Sequence, residues 1–216
     1  EQTLDLSEFT GADSSGFDIA LDLGAEPLLD RALPPVGYLA TGADAGALER
    51  ALTEIPELVG EFEKPQFFVY DAAICAHSRS GIQACTRCID SCPADAITSA
   101  GDQGISVDPH LCQGAGSCAS ACPSGAIRYA YPQLGDSLER IRDLLGGYRA
   151  AGGTDPVLVV YDAEAGHQRW VEAADEAPAN LLPLEVAELG SVGMDQWLGA
   201  LAFGARRVLL LDKDKE

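Results

Sequence analysis

Apolar and polar residues alternate over Phe17-Asp-Ile-Ala-Leu-Asp-Leu23, which predicts a strand, and Pro34-Pro35 breaks the chain before a second extended piece, Val36 to Ala40. Residues 44 to 59 carry a helical spacing that Pro56 interrupts. Gln66-Phe-Phe-Val-Tyr70 predicts another strand, and Arg128-Tyr-Ala-Tyr131 a short one some sixty positions later. Beyond it, Leu138, Ile141, Leu144, Leu145 and Tyr148 fall on one helical face. Asp136-Ser-Leu-Glu139 reads as the capping box of that helix and Gly152-Gly153 as its stop. Val157-Leu-Val-Val-Tyr161 has the unbroken apolar run of a buried strand, and Leu182-Pro-Leu-Glu-Val186 is a candidate second. Met194, Trp197, Leu198, Leu201 and Ala202 recur at helical spacing, followed by Gly204 and the strand Arg207-Val-Leu-Leu-Leu211. Strand, helix and strand at these lengths predict a parallel βαβ unit.

Between the strands at 66–70 and 128–131 the pattern changes. All seven cysteines lie from Cys75 to Cys122, five of them in two nearly repeated sentences. One reads Cys85-Thr-Arg-Cys88-Ile-Asp-Ser-Cys92-Pro93-Ala-Asp-Ala96-Ile97, the other Ala115-Gly-Ser-Cys118-Ala-Ser-Ala-Cys122-Pro123-Ser-Gly-Ala126-Ile127. A shift of 30 residues superimposes cysteine on cysteine, proline on proline and Ala-Ile on Ala-Ile. Short Cys spacings let successive thiolates wrap one small inorganic object. The doubled C-x2-C-x3-C-P run therefore points to two iron–sulfur clusters. The proline fixes the direction in which the chain leaves each last cysteine. Tetrahedral zinc on the Cys-x2-Cys pairs is the competing metal reading. The repeated Cys-Pro-x-x-Ala-Ile endings weigh against it, and a disulfide scaffold fits seven clustered cysteines less well still.

Over residues 70 to 132 these motifs resemble the bacterial dicluster ferredoxin family. The resemblance has two departures. The leading cysteine of the first half would fall at Ile82, and Cys75 can stand in for it if Ala76 to Gln83 loops out around Gly81. In the second half Ala115 occupies a cysteine position. Carried over position by position, the resemblance gives Cys75, Cys85, Cys88 and Cys122 to a first, 4Fe–4S cluster. It leaves Cys92, Cys112 and Cys118 to a second site, where three thiolates beside an alanine imply a 3Fe–4S cluster. A second 4Fe–4S cluster with a non-cysteine ligand is the alternative. Gly114 and Gly116 would turn amides toward the sulfides. His77 reads as a hydrogen-bonding residue of its loop and only secondarily as a replacement for Cys75 as ligand; Arg79, Arg87 and Arg128 read as solvated charges near the clusters, and His110 as exposed. His167 shows no partner that suggests chemistry.

The expected fold class is α+β, with a ferredoxin-like dicluster module at residues 70–132 inserted between an N-terminal α/β flank (1–69) and a C-terminal α/β (βαβ) flank (133–216). Because either flank alone buries too little surface, the two are expected to share one sheet. The segments Gly60-Glu-Phe-Glu-Lys-Pro65, Cys75-Ala-His-Ser-Arg-Ser-Gly81 and Ala150-Ala-Gly-Gly153 resemble larger proteobacterial iron–sulfur proteins encoded beside formate dehydrogenase. Leu201-Ala-Phe-Gly-Ala205-Arg-Arg-Val-Leu-Leu210 is similar to the small subunit of heterodisulfide-reductase-linked hydrogenases. Those resemblances imply a relay of single electrons to or from a redox enzyme partner. The alternatives are an accessory or scaffold protein with structural or redox-sensing clusters, and a subunit fragment of a larger oxidoreductase.

Composition narrows the partners. A net charge of −20 disfavours nucleic acid and suits either transient docking on a basic patch or simple solubility. No apolar run approaches the ~20 residues of a membrane span. The first residues lack a signal-peptide pattern, and clustered thiols favour a reducing, cytoplasmic compartment. A first residue Glu1 in place of methionine suggests a piece of something longer. No dinucleotide fingerprint or phosphate loop occurs, Gly190-Ser-Val-Gly193 is too weak for a nucleotide site, and no nucleophile–histidine–acid set marks an enzyme. Trp170, Trp197, Tyr129 and Tyr131 are expected to be packing residues.

Overall fold

The computed structural model describes residues 17–29, 31–60, 63–77 and 84–212. Arg79, Gly81, Ile82 and positions 61 and 62 therefore lie outside the described residues. Helices and short sheets mix in an α+β architecture made of two compact units.

The first unit comprises Glu1–Pro65 with Pro93–Ala96 and Asp108–Cys112. Strand β1 (Ala20–Asp22) pairs in parallel with β2 (Tyr38–Ala40). The Asp22 carboxylate ends β1: it takes the Tyr38 hydroxyl and the amides of Gly24 and Leu28, each amide at 2.8 Å. The Tyr38 hydroxyl first, then these amides, hold its pKa below the ordinary carboxylate value. Helix α1 (Ala45–Glu54) is capped by Asp44, which accepts from Gly46 N at 2.8 Å. Pro56 converts the continuation into a 3-10 turn over Ile55–Leu58.

The second unit comprises Gln66–Cys92, Ile97–Val107 and Gln113–Glu216. Within it β3 (Phe68–Tyr70) leads to a short helix α2 (Arg87–Asp90), β4 (Ile97–Ser99) and β5 (Ile105–Val107). A second short helix α3 (Ser117–Ala121) and β6 (Ile127–Tyr129) follow. Strand β4 pairs antiparallel with β5, while β6 returns to pair antiparallel with β3, Tyr129 opposite Phe68. The duplicated isoleucines Ile97 and Ile127 meet in one core with Cys88 and Ile105.

The remainder of this unit is a three-stranded parallel sheet in the order β8–β7–β9, from β7 (Val157–Asp162), β8 (Leu181–Val186) and β9 (Arg207–Leu211). Helices α4 (Leu134–Ala150) and α6 (Met194–Ala202) supply Ile141, Leu145 and Ala200 to the core over Leu158, Val160, Leu182 and Leu184. Helix α5 (Ala165–Ala174) places Trp170 in a stack on Tyr161, 5.9 Å between centroids. Strand β7 is thus buried along nearly its whole length, as its apolar run requires.

Three expectations change. Among the described residues, strands β1 and β2 bond only to each other and the flanks share no sheet; the Asp22 turn stops β1 after three residues, and β7 already has both its neighbours. Helix α4 begins at Leu134, ahead of the expected capping box, because the Gln133 carbonyl already accepts from Ser137 N at 3.0 Å. On α6 the apolar stripe faces outward: Met194 is 65% and Leu198 57% exposed, while Gln196 and Ala200 are buried. This helix approaches α4 through a small residue, since a Cβ on Gly199 would stand 2.4 Å from Leu138. Trp197 and Tyr131 are likewise exposed, whereas Tyr129 packs in the core as expected.

Candidate iron–sulfur site

All seven cysteines are thiols. Cys75, Cys85, Cys88 and Cys122 line one cavity, together with Tyr70, His77, Ile105, Pro123, Ser124 and Ile127. Each reaches it from a different piece of local structure. Cys75 ends a 3-10 turn that Asp71 caps through Ala73 N at 3.0 Å. Cys85 precedes α2, Cys88 lies on it, and Cys122 closes α3.

The Cys-Pro-x-x-Ala-Ile ending has a visible purpose at Cys122. Pro123 turns the chain so that the amides of Ile127, Ser124 and Ala126 point at the Cys122 sulfur, and the Ser124 hydroxyl stands 3.7 Å away. Burial alone would raise this thiol, but these donors outweigh it and bring it below the usual value. At Cys88 burial, then the neighbouring Cys122 sulfur, outweighs the backbone amides of Cys88 and Ile89 and pushes the thiol up. Burial likewise raises Tyr70, whose hydroxyl contacts the Cys75 side chain and accepts from Ile105 N at 3.2 Å.

His77 is 1% exposed, and both of its ring nitrogens face protein partners. Its Nδ1 lies 2.7 Å from the Cys85 carbonyl, which can only accept, so Nδ1 carries the proton and donates. Its Nε2 lies 2.8 Å from the Ser99 hydroxyl. Ala84 N donates to the His77 carbonyl at 3.1 Å, so the chain entering and leaving 78–83 is pinned at both ends. The sequence favoured a hydrogen-bonding role for His77 within its loop over ligation, and its ring braces the Cys85 segment.

Cys92 and Cys118 are half-buried and pack against the same isoleucine core. Cys112, in the first unit, is half-buried and donates its amide to the Asp108 carbonyl at 3.0 Å. Gly114 and Gly116 both have positive φ, +80° and +77°, and both are approached closely. A Cβ on Gly114 would fall 2.6 Å from the Phe67 ring, and one on Gly116 2.6 Å from Ser191. Glycine at these positions has a packing cause, in addition to any role toward sulfide. Arg87 and Arg128 are exposed, as is His110; His167 is paired at the surface with Glu185, 2.7 Å apart. Among the described residues no three His, Cys, Asp or Glu side chains converge as a single metal ion would require.

The donor set suits an iron–sulfur cluster: four soft thiols around one cavity, with amides aimed at a sulfur to support anionic ligands. Comparison with known proteins agrees with this class. Residues 82–126 match the family described as a 4Fe-4S dicluster domain, so the chain carries such a domain over that stretch. Cys75 lies outside the matched residues. A curated relative, the isethionate sulfite-lyase activating enzyme of Oleidesulfovibrio alaskensis, is 50% identical over 44 residues, 20% of this chain. That match spans only 14% of the relative's length. No solved structure matches the chain. Among the described residues no helix is long and apolar enough to cross a membrane.

Proposed function

We propose that the chain is an iron–sulfur electron-transfer protein that relays single electrons between redox partners. The observation that carries this reading is the convergence of Cys75, Cys85, Cys88 and Cys122 on one cavity, the last three within the matched dicluster-type domain. These four would hold a 4Fe–4S cluster. By the register of the repeat, Cys92, Cys112 and Cys118 would hold a second centre, with Ala115 favouring the 3Fe–4S type. When bound, such clusters supply one-electron chemistry at the protein's own potential. The chain's residues contribute the rest: thiolate ligands, the Cys122 amide cradle, and the isoleucine core that excludes water from the ligand side. The partner belongs to the redox enzymes, formate dehydrogenase- or hydrogenase-linked, with a basic docking patch to meet the charge of −20.

Anaerobic preparation followed by iron and sulfide counting and electron paramagnetic resonance tests this directly. About seven irons with a three-iron signal supports both assignments; about eight replaces the second centre by a solvent-capped cube. Colourless protein without acid-labile sulfide overturns the proposal. A second reading, that the segment is the dicluster part of a larger enzyme, is favoured by the match to an activating enzyme. Native purification that yields a tight stoichiometric partner would select it.

A further inference from the structure

The segment Gly190-Ser-Val-Gly193, which no nucleotide motif explains, lies against the piece of chain that carries Cys118. Three close approaches hold the two together. A Cβ on Gly116 would meet the Ser191 Cβ at 2.6 Å and its backbone N at 2.7 Å. A Cβ on Gly190 would meet the Ala115 carbonyl oxygen at 2.3 Å, and one on Gly193 the Ser120 Cα at 3.3 Å. The Ser120 hydroxyl donates to the Gly190 carbonyl at 2.8 Å.

The other side of the turn is fixed from within the α/β domain. Ser191 is 8% exposed, and its hydroxyl and amide both donate to the Glu188 carbonyl, at 2.7 and 3.1 Å. Its carbonyl accepts from the buried Gln196 side chain of α6 at 3.1 Å. A buried amide on a helix otherwise packed through Gly199 and Ala200 is costly unless bonded, and Ser191 supplies that bond. Gln196, Ser191, Gly116 and Cys118 thus form a continuous chain of contacts from the helix of the α/β domain to a cysteine.

We infer that Gln196, Ser191 and Ser120 are positioning residues for the centre that takes Cys118, so the helix and turn over the α/β sheet hold that centre's backbone loop in place. The inference rests on the proposed reading of Cys118 as a ligand. Its physical basis is that the Gly190–Gly193 turn leaves the 115–121 backbone no freedom to move, and with it the amides and sulfur that set the centre's environment.

The test uses the full chain and two variants, Gln196→Ala and Ser120→Ala. Neither changes a cysteine or introduces bulk. Hydrogen exchange is measured on the 115–121 amides and, as internal control, on residues 85–92. The expected result is about tenfold faster exchange at 115–121 alone in Gln196→Ala, and a smaller change in the same direction in Ser120→Ala. In cluster-loaded protein, the resonance line shape and midpoint potential of one centre should shift while the other keeps its wild-type values. Unchanged exchange at 115–121 in both variants overturns the inference, as does an equal shift of both centres. Wild-type protein without clusters would instead defeat the proposed function, and the exchange measurement would still decide whether the contact holds the segment.

Discussion

The two halves of the cysteine repeat share their local form and differ in what braces them. Asp95 and Gly125 occupy the same place, and both have positive φ, 49° and 66°. Ala96 and Ala126 are each 1% exposed, and Ile97 and Ile127 share one core. Each half places its middle cysteine on a short helix, Cys88 on α2 and Cys118 on α3. Yet the first is steadied from inside the module by the His77 ring, and the second by the Ser191 turn of the α/β domain. The two halves share the cysteine-bearing turn and differ in its supports.

The largest test of that comparison is to remove one ligand from each half. Cys88→Ser and Cys118→Ser should each lose roughly half the bound iron and a different resonance signal, measured on anaerobic protein. Loss of the same signal in both would end the assigned division. Next, Gly116→Ala must collide with Ser191 as well as occupy a left-handed conformation, costing about 3–5 kcal/mol in denaturant unfolding. Gly125→Ala meets open space and should cost only about 1–2 kcal/mol. Equal costs would show that the α/β domain does not confine the second half. Third, His77→Ala strips the Cys85 carbonyl and Ser99 hydroxyl of a buried partner, a loss of about 2–3 kcal/mol. Chelator challenge should then extract the first centre's iron faster and leave the second at its wild-type rate. The smallest effect is Asp95→Gly, which relieves left-handed strain and gives up an ion pair to Arg31 at 3.5 Å; a gain below about 1 kcal/mol is expected in thermal unfolding.

The repeat was legible because it is a matter of spacing: cysteines and prolines at fixed intervals demand fixed turns, and Ile97 and Ile127 had to meet wherever those turns led. The strands at 157–161 and 182–186 were legible from apolar runs. Direction was not. The 3.6-residue recurrence of Met194, Trp197, Leu198 and Leu201 defines a helix face, but the helix packs through Gly199 and Ala200, where small side chains let α4 come close. Periodicity carries no information about which stripe turns inward when a small-residue stripe competes with a large one. The supporting residues were hidden for a related reason. His77 and Cys85 are eight positions apart, and Ser191 and Gly116 farther still, so only the folded backbone reveals that they touch. The Gly-x-x-Gly spacing at 190–193 was the one visible trace of the second contact.

Strands β3 and β6 have a structural consequence at their outer end. Ala130 N donates to the Phe67 carbonyl at 2.8 Å, so the polypeptide departs from the cysteine-bearing region beside the point where it arrived. Antiparallel neighbours so placed can be joined by a two-residue hairpin. The entry and exit of the chain between these two strands therefore share one doorway.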